Sequence, residues 1–465
     1  MKKIKKRTHM KKWITLFIFS SFIQLSYAQT TTSTQALSLQ ECIEYALKSS
    51  IIIKNADIDA QVANAKVKEI MAVGFPQVNA EANLIHNIQI QKVILENSPS
   101  SPFNTPGAPS GSVLAFPFQL QNLGTVTLSG SQLIFSGSYI VGLKAARVLR
   151  ELSVKTSKQT KINVIESVMK AYYSVLVNES QYKLLHINVE RLDSIYKETK
   201  ALYLNGFVEK IDADRLEVQL NNLKNEEEKV KRLVELTYSL LKFQMGMPIE
   251  NEIKLSDSLS SIVLKDYQTE EPEGKFNYEQ RIDYSILKTQ RELAKQDMRN
   301  NQVSFLPQLA AFGTYGYNPA ASQFENLFNF SERWYAYSLV GLQLKLPILD
   351  GSQRAFKLKQ AKLTYKKADQ SFALLENSIN LEIQKARIMM KNSIASLKFQ
   401  EKNMALATEV ARITHIKYEQ GIGSNIEVVN AEASLKEAQT NYYNALYDAL
   451  VAKVDLEKAL GILGN

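Results

Sequence analysis

Histidine, cysteine and paired carboxylates carry most catalytic and metal chemistry, and in this chain they are scattered. The histidines are His9, His86, His186 and His415, and no Cys/His metal spacing occurs. Cys42 is the only cysteine, so no intrachain disulfide can form, and a small buried helix residue is its expected role. Gly421-x-Gly423 follows a helical stretch, not a strand, which excludes a nucleotide-binding loop. Glu226-Glu227-Glu228 and Asp212-x-Asp214 sit on charged helical faces, where solvation is the ordinary explanation. No nucleophile is spaced with a base. The expectation is a protein that is not an enzyme and uses no cofactor and no metal.

The elements around these residues repeat. Tyr203-x-x-Gly206 with Ile211-Asp212 recurs as Tyr418-x-x-Gly421 with Ile426-Glu427, at an offset of 215, and Leu220 matches Leu435 at the same offset. Phe75-Pro76-Gln77 recurs as Leu306-Pro307-Gln308, and Phe135-Ser136-Gly137-Ser138 as Leu349-Asp350-Gly351-Ser352. Four landmarks in the same order indicate an internal duplication and one elongated body rather than two or three globular domains.

Formal net charge is +9, but residues 1–28 hold seven basic residues and no acid, which leaves 49 basic against 47 acidic beyond them. The excess reads as targeting chemistry, with no nucleic-acid footprint. A basic start, the apolar run Trp13 to Ile23 and small residues at Ser26 and Ala28 fit a secretory signal cut after Ala28. Beyond it no run reaches 18 apolar residues, so any membrane must be crossed by strands.

Proline is absent between Phe118 and Met247, and glycine from Leu143 to Asn205 and from Ser352 to Gln420. Two stretches of more than 60 residues therefore lack glycine, consistent with helices of about 100 Å at 1.5 Å per residue. Ile162, Ile165, Met169, Tyr172 and Leu176 give one coiled-coil-like seam, and Leu375, Ile379, Ile383, Ala386 and Met390 another. Shorter helices over Leu39 to Val73, Ile211 to Gln244, Asn277 to Phe305 and Ile426 to Leu460 are the expected partners. Gly206 and Gly421 permit the positive φ that ends a helix, and Asp212 and Glu427 suit the first turn of the returning one. Each pair forms an antiparallel hairpin with its tip near 205–211 or 420–426.

From Val78, even positions are mostly apolar and odd positions polar, and Thr125, Thr127, Ser129 and Ser131 alternate with Val126, Leu128 and Ile134. Leu309 to Tyr317 and Trp334 to Leu346 are the partners in the second half. Tyr315, Tyr317, Trp334, Tyr335 and Tyr337 cluster as an interfacial girdle does. Four such strands cannot close a barrel, and open edges in lipid leave backbone groups unpaired. The chain must oligomerise. Two copies give eight strands and a filled interior, while three give twelve and a lumen.

The order of elements, the duplicated Tyr-x-x-Gly turn and the Leu-Asp-Gly-Ser corner resemble the TolC-like outer-membrane efflux proteins, from about Leu37 to Leu463. The resemblance implies a mostly α fold with membrane β. Long antiparallel helical hairpins would form a periplasmic α-barrel, and four strands per protomer would join a 12-stranded trimeric β-barrel. It implies these bounds: 1–28 signal; 29–77, 136–247, 277–306 and 350–465 helical barrel; 78–135 and 307–349 outer-membrane hairpins with extracellular loops 92–121 and 318–333; 248–276 an equatorial linker. Residues 92–121, rich in proline and serine, are expected to be irregular. The family's axial Asp-x-x-Asp gate falls on Glu427 and Asn430, keeping the first acid in kind and losing the second. Three Glu427 carboxylates about an axis would gather cations, whereas a lone one is a solvated helix-start acid. The resemblance also implies an inter-hairpin contact from Tyr418 to Asp212, and it finds Gly423 where a family member has arginine. The implied partners are a homotrimer, outer-membrane lipid, an inner-membrane pump and a periplasmic adaptor docking at Tyr203, Gly206, Gly421 and Gly423. The function implied is a passive exit duct for efflux or type I secretion. A trimeric coiled-coil stalk or adhesin explains the helices but not the strands, and a nutrient porin needs no such helices.

Overall fold

A computed structural model describes residues 36–100, 102–103, 105–259, 276–330 and 334–463. The expected signal over 1–28 lies outside the described residues, as does 260–275 of the expected linker. The described elements are β1 (Ala36–Leu37), α1 (Leu39–Ser49), α2 (Ile51–Ala72), β2 (Gln77–His86), β3 (Lys92–Glu96), β4 (Val113–Pro117) and β5 (Asn122–Phe135). There follow α3 (Gly137–Leu204), α4 (Lys210–Met245), β6 (Lys254–Leu255), α5 (Ile282–Val303), β7 (Gln308–Ala321), β8 (Trp334–Lys345), α6 (Gln353–Glu419) and α7 (Asn425–Ala459). The fold is mostly helical. The two stretches free of internal breakers become helices of 68 and 67 residues, each about 100 Å long.

Each long helix pairs with the shorter one that follows its turn, α3 with α4 and α6 with α7. Near the tips, Leu185, Val189, Leu192 and Ile195 pack on Leu216, Leu220 and Leu223. Midway along, Ile379, Ile383 and Met390 pack on Ala452 and Leu456. The largest core joins Val168, Tyr172 and Leu176 to Leu241, Met245, Leu450 and Val454, with Cys42 and Ile53 from α1 and α2. Burial pushes the Cys42 thiol up to about 12, so this cysteine is inert at physiological pH. The Tyr172 hydroxyl donates to Asp257 at 2.8 Å, and Asp257 also accepts from the Leu39 backbone N–H at 3.0 Å. That contact ties the described start of the linker onto the helices, where β6 runs parallel to β1.

The membrane-like sheet has the order β2-β5-β7-β8 and is antiparallel throughout. Its register sorts the side chains into two faces. One row is Ala80, Leu128, Tyr315 and Ser338, and another is Val78, Gly130, Gly313 and Val340. The opposite face carries Asn79, Ser129, Thr314 and Leu339 in one row, and Glu81, Thr127, Gly316 and Tyr337 in the next. Period-2 alternation in four strands thus adds up to one mainly apolar surface and one richer in polar groups, the latter interrupted by Phe312 and Leu339. Both are open in the single chain: Val340 is 90 % exposed. Among the described residues, β2 and β8 each lack a partner on their outer edge.

Three expectations need correction. Residues 92–121 are not irregular, because β3 and β4 pair as a hairpin. Alternation in Lys92 to Glu96 and Val113 to Pro117 is enough for a ladder, and four of the five prolines fall in the turn between them. Buried Asn97 holds that turn, donating to Ala108 O at 2.9 Å and accepting from Thr105 N at 3.1 Å. The helix expected over Leu39 to Val73 breaks at Ser50, whose ψ is 124°, and the one expected from Asn277 starts at Ile282. Both breaks make room for glycine. Gly246 (φ 70°) leaves a Cβ position 2.8 Å from Ser50 Cα, and Gly461 (φ 74°) one 3.0 Å from Gln280 O. Arg281 sits in the second break, donates to Ala459 O at 2.7 Å and pairs with Asp283 and Glu382.

Candidate functional site at the hairpin tips

Both tips end in one motif. Gly206 has φ 77° and Gly421 φ 70°. Gly206 N donates to Tyr203 O and Phe207 N to Leu202 O, both at 2.9 Å. Gly421 N donates to Tyr418 O and Ile422 N to Lys417 O, both at 3.0 Å. These are paired Schellman bonds, so the repeated tyrosine marks the residue whose carbonyl closes the turn. Phe207 and Ile422 stand 77 % and 78 % exposed at the ends of the molecule. Gly423 has no room for a side chain, since its Cβ would lie 3.0 Å from Lys417 Cβ and from Tyr418 N.

Glu427 and Asn430 are both exposed and three residues apart, on one side of α7, while Asn425 and Val428 on the other side are buried. Glu427 forms no ion pair among the described residues. The expected contact of Tyr418 with Asp212 does not form within the chain. The Tyr418 hydroxyl lies 3.0 Å from Thr199 Oγ1, a fully buried hydroxyl nearer to it along the seam. The Asp212 carboxylate faces Arg215 at 3.8 Å, and its carbonyl accepts from Asn425 Nδ2 at 3.2 Å. The two tips are therefore joined through Asn425, whose Oδ1 is buried without a partner.

Above the tip, α3 and α7 run antiparallel, and polar pairs bridge them. Arg191 donates to Glu432 Oε2 at 2.7 Å and to Asn188 Oδ1 at 3.3 Å, and Asn188 Nδ2 donates to Gln439 Oε1 at 2.5 Å. Asn188, Glu432 and Gln439 are all buried. Farther up, Tyr443 donates to Ser180 O at 3.3 Å, Lys170 meets Asp455 at 2.5 Å and Lys458 meets Glu166 at 2.6 Å. Burial pushes the Glu166 carboxyl up, but Lys170 and Lys458 outweigh it and hold the group below its usual range. Sequence reasoning missed this ladder. The signal was present, for Glu432 falls four residues after Val428 and three before Leu435, an acid at a core position. On the outer side of the first hairpin, His186 lies 2.6 Å from Glu227 and 3.4 Å from Glu190. The Glu227 contact raises its pKa above the ordinary 6.5.

The tips present paired turns, an exposed acid, apolar ends and a buried polar seam, which are parts of a joint. Residues 283–462 match the outer membrane efflux protein family. The outer membrane protein TolC of Vibrio cholerae is 22% identical over 337 residues, which span 72% of this chain and 76% of that protein. The alkaline protease secretion protein AprF of Pseudomonas aeruginosa is 25% identical over 175 residues, 37% of this chain and 35% of that one. The solved outer membrane protein VceC of Vibrio cholerae superposes with a TM-score of 0.66 at 19% identity, covering 91% of this chain and 96% of that one, and so shares the fold. The chain is therefore similar to the TolC-like outer membrane efflux proteins, in sequence over residues 283–462 and in fold over 91% of its length.

Proposed function

We propose that three copies of this chain form a passive outer-membrane exit duct for efflux or type I secretion, shut and opened at the hairpin tips. The observation that carries the reading is the four-stranded sheet with an apolar face, a polar face and two open edges. Joining the β8 edge of one copy to the β2 edge of the next pairs every backbone group in lipid and turns the polar face inward. Three copies supply twelve strands, wide enough for a lumen.

A second surface supports the same copy contact. Along α6, Phe356, Leu363, Leu374, Leu381, Ile388 and Phe399 are each more than half exposed. They recur at intervals of 7 and 11 residues, near whole helical turns, and so lie in one stripe along most of the helix. A helix this long with an apolar stripe open to water calls for a neighbouring helix along its length. In the closed ring Glu427 and Asn430 would face the axis. The apolar tips around Tyr203, Gly206, Gly421 and Gly423 would receive a periplasmic adaptor, with an inner-membrane pump supplying the energy.

Cross-linking of detergent-purified protein, followed by current measurement in planar bilayers, tests the reading. A three-copy ladder and discrete conductance are expected. A three-copy species with no current would favour the stalk, and a stable monomer in detergent-free buffer would refute the duct.

A further inference from the structure

We propose that each chain carries a site for one anionic phospholipid of the periplasmic leaflet, with an acyl chain lying in a trough on the sheet and the headgroup against a basic collar just below. The proposal rests on the sheet being embedded in the membrane.

The trough is a cleft of about 520 Å³ on the lower third of the sheet. Its floor is Gly130, Ala311 and Gly313 on the two central strands, and its walls include Val78 on β2 with Val340 and Leu342 on β8. All six, with Gln132, belong to rows of the apolar face, while Gln77, Ser131, Phe312 and Gly341 form the row of opposite facing that runs between them, so most of the lining faces lipid. Small residues on the central strands and large ones on the flanking strands make a groove parallel to the strands, the shape of a hydrocarbon chain. Gly130, Gly313 and Val340 each lie five residues from the helical end of their strand, about 16 Å at 3.3 Å per residue. The trough therefore occupies the leaflet nearer the helices.

Directly below, charge is segregated. Residues 351–368 hold six basic residues and no acid, and residues 137–150 hold three and no acid, in a chain that is nearly balanced beyond residue 28. Lys357, Lys359 and Lys362 on α6, with Lys144, Arg147 and Arg150 on α3, are exposed. None of these six forms an ion pair among the described residues. All lie within about 20 Å of the start of their helices at 1.5 Å per residue, and α3 begins two residues after β5 ends. A cluster of unpaired cations just outside a membrane-embedded element attracts anionic headgroups, at about fivefold in affinity for each cation at the surface. The nearest members, Lys357 and Lys359, fall within about one Debye length of that boundary.

The test uses the full-length protein in detergent, titrated with phosphatidylglycerol, phosphatidylcholine or inorganic phosphate. Bound lipid is counted by native mass spectrometry and stability read by thermal unfolding. The expected result is at least tenfold tighter retention of phosphatidylglycerol than of phosphatidylcholine, with no stabilisation by inorganic phosphate. The triple variant Lys357→Glu, Lys359→Glu, Lys362→Glu should lose that preference and still insert and conduct. The pair Gly130→Ala and Gly313→Ala narrows the trough with Cβ atoms whose nearest neighbours lie 3.9 and 3.4 Å away, ordinary contact distances, and should weaken both lipids. Equal retention of the two lipids by the parent chain overturns the proposal, and so does stabilisation by inorganic phosphate alone. A charge-reversed variant that keeps its lipid but changes ion selectivity also overturns it, placing the collar in the lumen. Failure of the parent chain to enter bilayers would fell the duct reading itself, whereas normal insertion without lipid preference fells only the site.

Discussion

Removing Arg191 should open the seam more than removing the acid it pairs with. The Glu432 side chain is 6% exposed and that of Arg191 35%. Arg191→Ala strands a carboxylate in a nearly dry site, and breaking a buried pair that way costs about 3–5 kcal/mol. Glu432→Ala leaves a guanidinium that already reaches water and keeps its bond to Asn188 Oδ1 at 3.3 Å, so the loss is one charged hydrogen bond, about 1–2 kcal/mol. The double variant Arg191→Met, Glu432→Met buries no charge and should recover most of the loss, a coupling of about 1–3 kcal/mol. The proposed three-copy assembly would not unfold in two states, so the readout is native-state hydrogen exchange across residues 425–439. Exchange there should quicken by roughly a hundredfold or more in Arg191→Ala, and by roughly tenfold in Glu432→Ala. Equal or reversed effects would refute the burial argument. Strict additivity in the double variant would show that the two side chains do not act as a pair.

Three other outcomes are expected. Glu427→Ala should weaken block of the channel current by multivalent cations, and unchanged block would remove this acid from the axis. His186 has a folded pKa above the ordinary 6.5, raised by Glu227, so its stabilising contribution is complete below 6.5 and is lost as pH rises through the folded value. The unfolding temperature of His186→Gln should therefore fall short of the parent at pH 6 and converge with it at pH 9, and a constant gap would count against the Glu227 contact as its source. Gly423→Arg should lower stability by about 1–3 kcal/mol through crowding of the α6 terminus and should not add a latch, which thermal unfolding and conductance together would read.

The long helices were legible because their evidence is cumulative: sixty residues without glycine or proline leave the backbone little alternative. The strands were legible for the same reason, since period-2 alternation repeats over ten or more positions. The turn tyrosines and glycines at the tips were legible because positive φ narrows the choice of residue. What failed was local competition. The prolines of 92–121 suggested disorder, but a single asparagine at position 97 supplies enough side-chain bonds to order the turn. Helix α2 begins at Ile51 because a glycine nearly two hundred residues away packs on Ser50, and no local pattern encodes that contact. Within the chain the Tyr418 hydroxyl meets Thr199 Oγ1, a fact of register that spacing within one half does not contain.

Register is also the physical reason for a polar seam in a molecule that could have packed leucine throughout. Two antiparallel helices joined only by apolar side chains can slide by a turn, about 5.4 Å, and find a similar set of contacts. The pairs between α3 and α7 forbid this, because α3 positions rise from 166 to 191 as α7 positions fall from 458 to 432 in one unbroken order. A one-turn slip would leave Glu432 and Asn188 buried without partners, at a cost of several kcal/mol. Buried polar groups here set alignment more than they add stability, as a polar residue in a coiled-coil core does. The ladder stops at Glu432, five residues above Glu427. Below it the polar links between the hairpins are Tyr418 with Thr199 and Asn425 with Asp212, both neutral and singly bonded, beside the apolar contact of Val428. Motion that parts the tips while leaving the ladder whole breaks the fewest polar links, so in the proposed duct the bend would fall between Glu427 and Glu432.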